Sequence, residues 1–175
     1  MVSDTQGLSP NDIQKYLQRI CGEAEGMMRD YDSRTLLEWT DTNLADGACF
    51  QVDIRIQKDG IHTASIAMTL TKEDALQLGG LFGASVDKEN ILDYSLDVTV
   101  HDVTVHGAEA ATVKVTWRER LIMQGPARQS HEERGRLTLE AEADCVHLIV
   151  RDDGRLTLGM ALCSGTARLT SRSRP

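Results

Sequence analysis

Residues 94–123, YSLDVTVHDVTVHGAEAATVKVTWRERLIM, decide the fold. Leu96, Val98 and Val100 alternate with polar residues, and so do Val113, Val115, Trp117, Leu121 and Met123. A period of two is the mark of a strand with one buried and one solvated face. Gly107-Ala108 between the two runs predicts a tight turn, so the runs form an antiparallel hairpin. A two-residue turn there pairs His106 with Glu109. Counting back sets Val100 opposite Val115, Val98 opposite Trp117 and Leu96 opposite Glu119. Glu119 therefore stands as a carboxylate in an otherwise apolar row.

The alternation continues downstream. After a loop at 124–129, a long strand is predicted over 131–150, and Asp152-Asp153-Gly154 turns it into a last strand, 155–168. Upstream, Phe50, Val52, Ile54 and Ile56 alternate with Gln51, Asp53, Arg55 and Gln57, and Lys58-Asp59-Gly60 returns the chain as a partner strand over 61–70. Before residue 48 the period is helical. Ile13, Leu17, Ile20, Ala24 and Met27 share one face, broadened by Tyr16 and Met28. Ser9 caps that helix, Pro10 suits its first position and Asp12 favours its positive end. A shorter helix from Ser33 carries Leu36, Leu37 and Trp39 and ends before Asp46-Gly47. Thr71 to Asp74 resembles a capping box with Asp as its last member. It opens a third helix through Ala75, Leu78 and Phe82, weakened by Gly79 and Gly80. The fold class is α+β, with N-terminal helices packed on a strongly curved antiparallel sheet. Residues 1–8 are expected to be a flexible lead, 9–168 one domain, and 169–175 a flexible tail with Arg172 and Arg174.

The order helix, helix, hairpin, helix, then four antiparallel strands resembles the nuclear transport factor 2-like (NTF2-like) superfamily, which shares its cone-shaped fold with cystatin-like proteins. The strand texture of 111–123 (ATVKVTWRERLIM) and 134–150 (RGRLTLEAEADCVHLIV) carries the resemblance, which covers about residues 9–168. It implies a sheet curled around a pocket, lidded by the first helices. Members of such a superfamily include isomerases, cyclases, dehydratases, dioxygenase small subunits and non-catalytic interaction domains, so the fold alone licenses no activity.

Composition narrows the function. A net charge of −8 argues against nucleic acid, which needs a basic stripe, and against an anionic membrane surface. No stretch reaches the roughly 18 apolar residues of a spanning helix. Residues 2–12 are polar and show no signal peptide. A native Met1 implies the cytoplasm, whereas removal of a leader implies the periplasm or secretion. Aromatic residues are 4% of the chain, so the core is expected to be aliphatic. No cofactor is expected.

The candidate chemistry lies on the concave face. Desolvation near Tyr94 and Trp117 would raise the pKa of Glu119 and suit it to general acid or base work. The competing reading puts Glu119 in solvent at the sheet rim. His147 is the second candidate, on a row with Leu137, Leu139, Ala141 and Ala143, and a core or rim histidine is its alternative. Tyr94, Leu96, Val98, Val115, Trp117 and Leu137 are the expected pocket residues. With Asp153-Gly154 as a two-residue turn, His147 faces Met160 and Cys145 faces Leu162. Cys163 then points away, so a Cys145–Cys163 bridge needs a bulge, for which Gly159 or Gly165 are the candidates. Otherwise Cys21, Cys49, Cys145 and Cys163 are free buried thiols. No C-x-x-C spacing supports a metal site. His101 and His106 fall on opposite faces of one strand unless a bulge intervenes, and His62 and His131 sit beside turns or loops. Two functions lead, ahead of an acidic secretion-type chaperone, which fits the acidic charge but not the uninterrupted run of four C-terminal strands. One is a non-catalytic domain that binds a small apolar ligand or assembles with protein, expected as a homodimer through the open sheet face. The other is an isomerase, cyclase or dehydratase with Glu119 as base, assisted by Tyr94 or His147.

Overall fold

A computed structural model describes residues 7–29, 33–85, 88–124 and 135–172. Helices α1 (Pro10–Arg29) and α2 (Ser33–Asn43) precede the hairpin β1 (Leu44–Lys58) and β2 (Ile61–Thr71). Helix α3 (Lys72–Ser85) and one 3-10 turn (Lys88–Asn90) lead into β3 (Ile91–His106), β4 (Ala110–Gln124), β5 (Arg136–Asp152) and β6 (Arg155–Arg172). His131, Arg174 and most of the expected 124–129 loop lie outside the described residues, as does the side chain of Phe82.

Local chemistry places the helices. Ser9 and Asp12 exchange capping bonds: the Ser9 N–H donates to Asp12 Oδ2 at 3.1 Å, and the Asp12 N–H donates to Ser9 Oγ at 3.2 Å. Leu8, just before the cap, and Ile13, four residues after it, join one core cluster, fixing the angle at which the chain enters α1. Thr71 and Asp74 repeat the box at α3, with the Thr71 N–H on Asp74 Oδ2 at 2.8 Å. That box starts α3 despite Gly79 and Gly80.

The six strands form one curled sheet in the order β2-β1-β6-β5-β4-β3. It is not wholly antiparallel. β6 returns beside β1 and runs parallel to it, because three successive hairpin steps bring β6 back in the direction of β1. The last strand also extends to Arg172, so residues 169–172 are strand rather than tail. Arg136 to Leu139 pair with them, the Asp59 N–H donates to the Leu169 carbonyl, and the Ser171 N–H donates to Asp59 Oδ1.

Two irregularities set the register. The β3–β4 turn has three residues, Gly107 to Glu109, so His106 pairs with Ala110 rather than Glu109. A bulge at His101 absorbs the extra residue, and beyond it Val100 faces Val115, Val98 faces Trp117 and Leu96 faces Glu119, as the two-residue count predicts. In the β5–β6 hairpin the turn is the expected one, but Gly159 is an extra residue on β6. Its insertion moves His147 opposite Ala161 rather than Met160, and Cys145 opposite Cys163 rather than Leu162.

The core forms where α1 crosses the concave face. Ile13, Leu17, Ile20, Ala111, Val113, Val115, Cys145 and Ile149 make the main cluster. Met28, Tyr94 and Leu121 make a second one toward the other end of α1.

Candidate functional site

The cross-strand register assigns each concave side chain to a row. One row runs Leu96, Glu119, Ala141, Ala167, Ile56 and Ala64. The next runs Val98, Trp117, Ala143, Gly165, Ile54 and Ile66, and a third Val100, Val115, Cys145, Cys163, Val52 and Met68. The middle of the first two rows holds the smallest side chains available: Ala141, Ala143, Gly165 and Ala167. They make a low, half-buried floor walled by Trp117 and Glu119 on one side and Ile54 and Ile56 on the other. At the β2 edge Ile66 and Met68 are each 37% exposed, so the apolar floor reaches solvent there.

Glu119 sits at the polar end of this floor. The Tyr94 phenol, itself buried, donates a hydrogen bond to the Glu119 carboxylate. Burial raises the Glu119 pKa, and the Tyr94 bond opposes that shift only in part. Burial, followed by the Glu119 charge, pushes the Tyr94 phenol well above its ordinary value. Helix α1 closes this corner: Glu25 Oε1 accepts the Leu96 N–H at 2.9 Å, and the buried Cys21 thiol is raised to about 12 by desolvation, then by the charges of Asp97 and Glu25.

His147 is not part of that corner. It pairs with Val113, six positions along β4 from Glu119, which is about 20 Å at strand rise. The residue is 4% exposed. The Trp117 Nε1–H donates to His147 Nε2 at 2.6 Å, and the two rings meet edge to face with centroids 5.7 Å apart. An accepting Nε2 leaves the proton of the neutral ring on Nδ1, and Nδ1 is buried without a partner. Burial alone lowers the His147 pKa to about 4, so the ring is neutral at physiological pH. Cys145 and Cys163 are joined as a disulfide beside it, and Cys21 and Cys49 are free. The remaining expected pocket residues divide. Val115 is fully buried and Val98 packs against the main cluster, whereas Leu96 and Leu137 are half-buried near the Tyr94 end.

The open face of the sheet has two halves. In one, Arg118 pairs with Glu142 at 2.9 Å, and Arg120 lies 3.7 Å from both Asp93 and Glu140. In the other, Val146, Met160 and Leu162 are exposed, Leu162 at 46%. The His101 bulge turns His101 and His106 to this same face, but they do not converge. His101 Nε2 lies 2.7 Å from Thr116 Oγ1, which donates to Asp144 Oδ1 at 2.6 Å, while His106 Nε2 lies 2.7 Å from Thr112 Oγ1. Sequence reasoning missed two clefts beside α1 and α2, of about 400 and 500 Å³, which share Arg19, Thr42 and Asn43. Arg19 holds them together, paired to Glu23 at 2.7 Å and donating to Asn43 Oδ1 at 3.2 Å. The i,i+4 spacing of Arg19 and Glu23 was the visible signal.

No protein-family model matches the sequence, and no curated protein matches it. Solved structures do. The Kfla4162 protein from Kribbella flavida is 16% identical, with 90% of this chain and 93% of that one covered and a TM-score of 0.53. A proposed aromatic ring hydroxylase from Novosphingobium aromaticivorans is 10% identical over 94% and 96% of the two chains, with a TM-score of 0.54. The beta subunit of a proposed aromatic-ring-hydroxylating dioxygenase from the same organism is 15% identical over 89% and 90%, with a TM-score of 0.52. At such identities the likeness is one of fold. The curled, mostly antiparallel six-stranded sheet with its three helices is an α+β fold consistent with the NTF2-like cone.

Proposed function

We propose that this chain is a non-catalytic domain that binds a small apolar ligand on the concave face and pairs with a second copy through the open face. The small-residue floor carries the first part. Ala141, Ala143 and Ala167 keep the floor low between Trp117 and Glu119 on one side and Ile54 and Ile56 on the other, and the exposed Ile66 and Met68 lie at its β2 edge. Pockets for small molecules are apolar with few polar groups, and here Tyr94 and Glu119 supply one polar end. Exposed Val146, Met160 and Leu162 support the dimer. The test is titration with an anilinonaphthalene sulfonate probe. Wild type is expected to show one saturable site, and Ala167→Phe, which fills the floor, is expected to lose it at an unchanged melting temperature. Equal binding by both proteins would overturn the reading, and a monomer mass in sedimentation would overturn the dimer.

A second reading is favoured by the buried Tyr94–Glu119 hydrogen bond: proton transfer on the bound molecule, with Glu119 as base and Tyr94 as donor. Glu119→Gln separates the two. The Glu119 pKa is raised in the folded state, so the cost of ionising it is absent at low pH and appears as pH rises through the folded value. The substituted amide keeps an acceptor for Tyr94 without that charge. Glu119→Gln is therefore expected to melt higher than wild type at neutral pH and alike at acid pH, while ligand binding persists. Lost turnover of a ligand that wild type converts would establish the enzyme instead.

A further inference from the structure

We infer that Cys145, Cys163 and His147 form a zinc-class metal site when the disulfide is reduced. The two sulfurs and an imidazole nitrogen lie within 4.8 Å of one another on adjacent strands, a donor set spread over 18 residues of sequence with no metal-binding spacing. The bulge at Gly159 creates it by moving Cys163 onto the face of Cys145 and His147. Two thiolates and an imidazole suit a borderline-soft divalent ion and leave a fourth position open. Independently of the sulfurs, His147 Nδ1 is buried with no hydrogen-bond partner, although Trp117 holds the other side of the ring. Cys163 is half-buried and adjoins the Ala143–Gly165 row, so the cluster is reachable from the apolar floor.

The chemistry closes. Two molecules of a thiol reductant of the cysteine class break the Cys145–Cys163 bond, giving two protein thiols and one disulfide of the oxidised reductant. Binding of one divalent ion then releases both thiol protons. Trp117 sets the affinity. Its indole N–H occupies the Nε2 lone pair and holds the proton on Nδ1, the wrong tautomer for a metal at that nitrogen. Coordination through either ring nitrogen requires the half-buried indole to swing away. Trp117 is thus a positioning residue that keeps the oxidised, metal-free ring in place.

Cobalt(II) titration of the reduced, anaerobic chain tests this. One equivalent is expected to raise a thiolate-to-cobalt charge-transfer band with tetrahedral d–d bands and a change in tryptophan emission. The oxidised chain and Cys163→Ala should show none. Trp117→Phe, which frees Nε2, is expected to bind about tenfold tighter. A band that survives in Cys163→Ala, or no band in either reduced wild type or Trp117→Phe, would overturn the site. If reduction unfolds the chain, zinc present during reduction is expected to keep the circular dichroism of the oxidised form, and failure to do so counts equally against it.

Discussion

Gly165→Ala is expected to lower the melting temperature by about 6–12 °C, a loss of about 3 kcal/mol for a chain of this size. A Cβ at Gly165 would overlap the Glu142 carbonyl oxygen and lie 2.7 Å from the Ala143 Cα. These are backbone atoms of the neighbouring strand, so no rotamer change relieves the clash. β5 and β6 must separate, and they do so two residues from the Cys145–Cys163 bridge and in the middle of the apolar floor. With no side chain at Gly165, the two strands approach closely at this point. Gly159→Ala is the control. Its Cβ would meet the Val150 methyl carbons at 3.4 and 3.5 Å, ordinary contact, and its effect on melting should be small. Thermal unfolding of the two variants decides the matter. Similar melting temperatures for Gly165→Ala and wild type would mean that β5 and β6 are not locked here.

The same glycines mark where sequence reading stops. Period-two alternation was enough to place Glu119 among apolar residues beside Tyr94, because side-chain facing follows directly from strand geometry. The β3–β4 register came out right through two compensating departures, an extra turn residue at Glu109 and a bulge at His101. On β5–β6 a single departure at Gly159 was uncompensated, and every pairing beyond it moved by one residue. A bulge is one inserted residue with no periodic signature, so counting from the turn cannot see it. The floor of Ala141, Ala143, Gly165 and Ala167 was hidden for a different reason. It exists only because β6 lies between β5 and β1, and the parallel β1–β6 pairing joins segments about a hundred residues apart. The Trp117–His147 bond is hidden likewise, since it depends on the reach of an indole diagonally across two strands.

His147 should dominate the acid limb of stability in the oxidised, chelator-treated protein, where bridged sulfurs hold no metal. In the unfolded chain the ring takes up a proton below its ordinary value of 6.5, whereas burial delays protonation in the folded chain to about 4. Between those values the unfolded state binds more protons, so stability falls as pH falls, by about 3 kcal/mol across the window, and is fully present above pH 6.5. Below about pH 4 this contribution stops changing. Asp12 and Asp74, whose pKa values are lowered by capping bonds, lose their contributions further down, below 3.8. Glu119 acts with the opposite sign, and both effects are shared by wild type and a His147 variant. The difference between wild type and His147→Gln in denaturant unfolding from pH 7 to pH 4 therefore isolates the imidazole. The variant begins less stable at pH 7, having lost the Trp117 bond and the ring's packing. It is expected to lack the slope, so the gap closes or reverses by pH 4. Parallel curves would mean that burial does not delay protonation of His147, and that the ring finds a partner or water in the folded chain.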